Sequence, residues 1–354
     1  MQIPHISNIK KSTTERDASF DLLRIIAMIL VMVTHVDFMG FYGEVGGEIA
    51  FSNLQVFSYA MMKCSSIICV DLFVLISGWF GLRPTLHKLA KLLFQIWFFA
   101  IIIEVYFLVF DNSQSMSFSR VVDVFSFYGY WFVPAYLLLY ACSPILNSFV
   151  ENSSQKTFLT VLAGYYAFQF IFGWIFQITY FNKGFSPLSF FSLYLTARYI
   201  KIYGIKYLEK YKLSRLVWLY IMILIVTTII FLLFFLKGEW LLALQVVDYS
   251  SPFVVAMAVL FMCMFTKFRI RGKWINTLAI SSFAVYLLHD APLVFNNYFK
   301  PMCRHIFMEY NGFWAVLYII IFLAVVYAAS LVLDQLRILL WNGIEQIDMR
   351  FRKS

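Results

Sequence analysis

Charged side chains are scarce in this 354-residue chain. Asp, Glu, Lys and Arg make up 13% of it, about half the share of an average soluble domain. Disorder, a collagen-like chain and a coiled coil are excluded by that composition. Cysteine is sparse too. Cys64, Cys69, Cys142, Cys263 and Cys303 are scattered and form no CxxC pair, which argues against a disulfide framework or a zinc site. No ten-residue stretches of alternating polarity occur, so a membrane β-barrel is excluded. No polar segment is long enough for a domain outside a membrane, and no internal repeat is visible. The first apolar run ends without a small-residue cleavage site, so it is expected to be a retained helix rather than a removed leader.

What is abundant is apolar sequence. The hydrophobic fraction is 62% and the mean hydropathy is +0.78. A water-soluble protein of this size cannot hide so much apolar surface. The expected fold class is all-α: a polytopic membrane protein of about ten transmembrane helices. The spans are placed at roughly 18–40, 56–82, 88–110, 129–150, 156–180, 186–206, 214–236, 249–266, 276–299 and 313–341. The chain, 1–354, is expected to form a single membrane-embedded domain with cytoplasmic tails at 1–17 and 342–354.

The net charge is +9. In a soluble protein this balance suggests nucleic acid, but here the basic residues lie in short loops between apolar runs, so no nucleic-acid partner is expected. With ten spans, segments on the side of the N-terminus carry 19 Lys and Arg, and the opposite loops carry 5. That bias places both termini in the cytoplasm.

Ionisable groups inside the apolar runs are costly and therefore functional candidates. In the first span Arg24 and His35 are eleven residues apart, three turns plus roughly 20°, so they share one stripe about 16 Å apart along the axis. Asp21 is placed to pair with Arg24. In a competing interpretation, Asp21 and Arg24 are an interfacial pair and His35 caps the helix. The second span carries Asp71 at its middle, then Ser77 and Gly78. The Ser-Gly pair either serves ligand binding or only permits close helix packing. Lys88 and Lys91 lie one turn apart at the start of the third span, either as ordinary positive-inside charge or as a grip on ligand phosphates. Glu104 sits in a deeply apolar part of that span. Trp131 stands at the outer entrance of the fourth, which Pro134 is expected to kink. In the ninth span His289 and Asp290 lie at a depth like that of His35, with Asp290-Ala-Pro292 as a helix break near the surface. Asp334 and Arg337 are expected to be a structural pair.

Four ordered segments resemble the membrane acyltransferase-3 family. FDLLRIIAMILVMVTHV keeps that family's spacing of a basic residue, ten residues and a histidine, here Arg24 and His35. VDLFVLISGWF is similar to its V-D-x-F-x-x-x-S-G segment, with Phe73-Val74 replacing a double phenylalanine. GYWFVPAYLLLYACSPIL resembles its W-F/Y-x-x-A-x-x-x-Y…P segment. ISSFAVYLLHDAPLV, containing Tyr286 and His289, resembles its S-x-x-x-Y-L-x-H segment. Lys88 and Lys91 hold the spacing of a common R-x-x-R pair, keeping its charge but losing the bidentate fork of arginine.

The resemblance implies O-acylation, most often acetylation, of a cell-envelope or exported polysaccharide or glycolipid. It implies acetyl-CoA or another acyl-CoA as donor, no metal, and a multi-pass protein of the bacterial inner membrane. Its partners are then the bilayer, acyl-CoA and a glycan or lipid-linked sugar acceptor. His35 is implied to act as general base or brief acyl carrier, with Asp71 or Glu104 holding its tautomer. Arg24 is implied in the catalytic set and, with Ser77, Lys88 and Lys91, on the donor side, and Trp131, Tyr286 and His289 on the acceptor side. Many relatives carry an added outer hydrolase-like domain. None is seen here, so transfer is expected to finish within the membrane unit or on a separate partner. A transporter or flippase for a lipid-linked or exported glycan is the alternative, with the buried charges as a proton relay. A glycan polymerase fits less well, because the outer loops are short.

Overall fold

The computed structural model describes residues 18–45, 51–111, 117–310 and 312–351. Among these residues the secondary structure is helical throughout, with no strand. The polar tail at 1–17, with Lys10, Lys11 and Arg16, lies outside the described residues, as do Arg352 and Lys353.

Among the described residues seven helical stretches are long and apolar enough to cross a bilayer: Ser19–Glu44, Asn53–Phe80, Leu86–Phe110, Phe132–Asn152, Gln155–Ile175, Leu213–Phe235 and Gly312–Ile347. An eighth candidate is a bent pair, Lys273–His289 and Pro292–Glu309, which turns by 63°. The other two expected stretches are helical but different in kind. Pro252–Phe265 has only 14 residues. Pro187–Tyr199 runs through a π-helical turn, Ile200–Gly204, into Ile205–Lys210. The final helix continues past 341 to Phe351, so the stretch expected to be a tail is itself helical as far as that residue. One sequence expectation is corrected. Pro134 lies in the first turn of its helix, where its missing N–H is no loss, and the proline inside that helix is Pro144.

The helices that carry the site are α1 (Ser19–Val36), α2 (Asn53–Ser66), α3 (Cys69–Phe80), α4 (Leu86–Phe110), α5 (Phe118–Ser126), α6 (Phe132–Asn152), α7 (Gln155–Phe168), α8 (Pro187–Tyr199), α9 (Leu213–Phe235), α10 (Pro252–Phe265), α11 (Lys273–Ile280), α12 (Ser282–His289), α13 (Lys300–Glu309) and α14 (Gly312–Phe351). Local sequence fixes several starts. Ser52 and Gln55 form a reciprocal capping box ahead of α2, Thr85 caps α4, and Ser154 caps α7. Pro187 and Pro252 open α8 and α10, where a fixed φ is already helical.

The order of layers follows from burial. In the most apolar stretch of the α1 span 56% of residues are buried inside the protein, and 67% in the α2–α3 span, against 22% in α4, 28% in α9 and 17% in α14. α1 packs on α3, α11 and α12 at the centre. The outer helices expose Trp218, Met222, Leu233, Ile320 and Leu339, a surface that only a lipid solvent tolerates at this extent.

The tightest crossing is α3 on α8. A Cβ added at Gly78 would lie 2.4 Å from the Tyr194 carbonyl oxygen and 2.9 Å from its Cα. Both atoms are backbone, so only glycine lets these helices meet. Gly78→Ala is expected to destabilise the detergent-solubilised protein by about 1–3 kcal/mol through overpacking. A thermal midpoint equal to that of the unaltered protein would show that the helices part at no cost.

A second buried pair ties the outer helices. Arg337 donates from Nε to Asp334 Oδ1 at 2.6 Å and from a terminal nitrogen to Oδ2 at 3.1 Å. Gln95 of α4 donates to the same Oδ1 at 3.1 Å. Asp334 and Arg337 are thus the structural pair expected from their spacing, with Gln95 completing it.

Candidate active site

The site begins with two residues on α1. Arg24 is held by Asp21 at 3.0 Å and lines a chamber of about 350 Å³, together with Ser77, Gln95 and Tyr136. Ser77 bonds both ways: its hydroxyl donates to the Phe73 carbonyl at 2.9 Å and lies 3.1 Å from the Tyr136 hydroxyl. The Ser-Gly pair therefore does two things, since Gly78 packs the helices and Ser77 faces the chamber. Lys88 and Lys91 are exposed near the start of α4, one turn ahead of the chamber residues Leu92 and Gln95. Lys88 donates to the Arg83 carbonyl at 3.1 Å.

His35 lines a smaller chamber of about 30 Å³ with Trp131, Tyr286 and Tyr249. This has room for one or two water-sized groups. His35 and Tyr249 also line a vestibule of about 330 Å³, whose wall includes Asp37, Lys63, Lys183 and Asp248. Lys63 pairs with Asp37 at 3.0 Å, and Asp248 accepts from Gln177 Nε2 at 2.9 Å. Asp248 lies in the turn before α10. Burial pushes its carboxyl up to about 6, against the Gln177 bond and the Lys183 charge. Three rings close the vestibule side of the small chamber: Trp131 lies 4.3 Å from Phe185 and 5.7 Å from Tyr249.

His35 is oriented by α12. Its Nδ1 lies 3.0 Å from His289 Nε2 and 3.6 Å from Asp290 Oδ1. His289 is fully buried, and its Nδ1 lies 2.5 Å from the Val285 carbonyl. The carbonyl can only accept, so His289 Nδ1 carries the proton. With both rings neutral, His289 Nε2 accepts from His35 Nδ1–H. The proton pattern leaves His35 Nε2 as an unprotonated nitrogen. The backbone break at Asp290-Ala291-Pro292 makes this geometry. It ends α12 at His289, and Tyr130 pins that end by donating to the Leu287 carbonyl at 2.6 Å. Gly129 makes the approach possible: its φ is +83°, and an added Cβ would lie 2.2 Å from Pro292 Cγ.

Arg24 and Ser77 thus share one chamber, and His35, Trp131 and Tyr286 share the next. His289, expected on the acceptor side, stands behind His35 as its hydrogen-bond partner. Asp290, expected at a depth like that of His35 and at a helix break, is half-buried beside the His35 ring. Asp71 and Glu104, the expected holders of the His35 tautomer, lie elsewhere. Asp71 is buried but lines none of these three spaces, and its Oδ2 has no hydrogen-bond partner. Glu104 pairs with Arg120 at 3.2 Å in a separate recess lined by Asp123 and Tyr130. Among the described residues no group of three or more His, Cys, Asp and Glu is placed to hold a metal ion.

A half-buried imidazole with a free nitrogen, set between two cavities of an all-helical membrane protein, is an arrangement suited to group transfer by acid–base chemistry. The comparison with known families makes this specific. The acyltransferase-3 family model, an acyltransferase domain, matches residues 17–334. The chain belongs to that family and is a membrane acyltransferase. No curated protein and no solved structure matches it.

Proposed function

We propose that the protein moves an acyl group, most simply acetyl, from acyl-CoA to a hydroxyl of a cell-envelope or exported polysaccharide or glycolipid. The observation that carries this reading is the position of His35 in the wall shared by the small chamber and the vestibule. The donor then comes from the Arg24 side, where Lys88 and Lys91 stand near the mouth to meet its phosphates. The acceptor comes from the vestibule, where the Asp37 and Asp248 carboxylates and the Lys63 and Lys183 ammonium groups suit sugar hydroxyls, and meets the Trp131 ring in the small chamber beyond. Trp131 and Tyr286 line the space in which the two would meet.

The steps balance without a further reactant. The acceptor oxygen attacks the thioester carbonyl as His35 Nε2 takes the hydroxyl proton. The C–O bond forms, the C–S bond breaks, and the proton passes to the leaving thiolate to give the free thiol. His289 keeps the His35 nitrogen in its basic tautomer, and Asp290 lies beside the ring as its charge develops. Asp71 and Glu104 are given no step. On this reading the whole chain works as one unit in the bacterial inner membrane, with both termini cytoplasmic and the vestibule facing outward.

Mass spectrometry of surface polysaccharide from cells with and without the protein tests the reaction. The expected result is a shift of one acetyl unit per acceptor site when the protein is present. Identical spectra, with no acyl-CoA consumed by membranes containing the protein, would overturn the proposal.

A further inference from the structure

The Arg24 chamber and the His35 chamber meet at three rings. Phe73 of α3, Phe132 of α6 and Phe283 of α12 line both spaces. The Phe132 ring lies 6.4 Å from Phe73 and 6.5 Å from Phe283. Three separate helices therefore supply one aromatic collar. Two of its rings stack on tyrosines of the adjoining chamber walls: Phe132 on Tyr136 of the Arg24 chamber at 5.5 Å, and Phe283 on Tyr286 of the His35 chamber at 5.9 Å. The collar offers no polar side-chain atom. A charged or strongly hydrated group loses its water there without compensation, whereas a small acyl group does not. Beyond the collar the space falls from about 350 Å³ to about 30 Å³.

We infer that Phe73, Phe132 and Phe283 form a size filter that selects the acyl group by what fits between and beyond their rings. The inference rests on the proposed entry of acyl-CoA from the Arg24 side. The collar passes a short acyl head to His35 and holds the phosphate-bearing remainder among the cationic groups. It assigns donor specificity to three apolar residues, none of which is a proton-transfer group. Packing alone makes a different prediction, because a filling role lowers activity equally with every donor.

The test uses native membranes containing the full chain, which supply the acceptor. Thiol release is followed with acetyl-CoA, butyryl-CoA and hexanoyl-CoA. The unaltered protein is expected to favour acetyl-CoA by about tenfold or more, the scale at which a closed apolar pocket separates substrates differing by methylenes. Phe73→Ala and Phe283→Ala are expected to raise the ratio of hexanoyl to acetyl turnover by about tenfold, even where the absolute rate with acetyl-CoA falls. Phe73→Leu and Phe132→Leu, milder changes in volume, should move the ratio the same way and cover the case in which an alanine variant does not fold. An unchanged ratio in variants that still use acetyl-CoA overturns the filter alone. No thiol release by the unaltered protein from any of the three donors overturns the acyl-CoA reading, and the filter with it.

Discussion

Replacing His35 by asparagine is expected to lower acyl transfer by about 10²–10⁴-fold, the usual contribution of a positioned general base. Asparagine suits the test because its amide places a donor close to where His35 Nδ1–H meets His289 Nε2. Its amide nitrogen cannot accept a proton from the acceptor hydroxyl. The variant therefore separates the two nitrogens of one ring: the oriented side is largely kept and the basic side is lost. His35→Ala should be as inactive, and less stable as well, since the buried His289 Nε2 then has no donor, at a cost of about 1–3 kcal/mol. Thiol release from acetyl-CoA and O-acetyl content of the surface glycan are the two measurements. A well-expressed His35→Asn protein with activity within about threefold of the unaltered one would remove His35 from the chemistry, because general-base catalysis does not survive loss of the base.

Much of the fold was legible because each apolar run has a length set by the bilayer. The least regular regions were the hardest to bound. The stretch around Arg198 and Lys201 is helical, but it passes through a π-helical turn where Lys201 donates to the Trp79 carbonyl at 2.7 Å. That contact depends on which helix lies alongside, and no local pattern encodes it. The site divides along the same line. The stripe joining Arg24 and His35 is a property of one helix, so spacing alone exposed it. The partner of His35 is 254 residues away in sequence. Nothing within α1 distinguishes His289 from Asp71 or Glu104 as the group opposite, since all three are polar residues in apolar runs. The tripeptide Asp290-Ala291-Pro292 did carry a signal. A proline that ends a helix just after a histidine and an aspartate fixes where both side chains project, but its neighbour across the bundle emerges only in three dimensions. The phenylalanine collar gave no sequence signal. With 40 phenylalanines in the chain, three that line a passage look the same as those that fill the core.

His289 carries the second large effect. Its substitution by alanine is expected to reduce kcat by about 10–100-fold, as for other residues that orient a reacting histidine from behind. The KM for acetyl-CoA should stay unchanged, because His289 lines neither chamber and lies on no donor contact. His289→Gln should recover much of the loss. The glutamine carbonyl can accept from His35 Nδ1–H near the place of the imidazole nitrogen it replaces. A packing role predicts otherwise, since it gives no reason for glutamine to outperform leucine, which fills a similar volume with no acceptor. The comparison of glutamine with leucine at equal expression therefore isolates the hydrogen bond from the volume. If leucine matched glutamine in kcat, the tautomer of His35 would have to be set by Asp290, whose carboxylate at 3.6 Å is the other described acceptor facing that nitrogen.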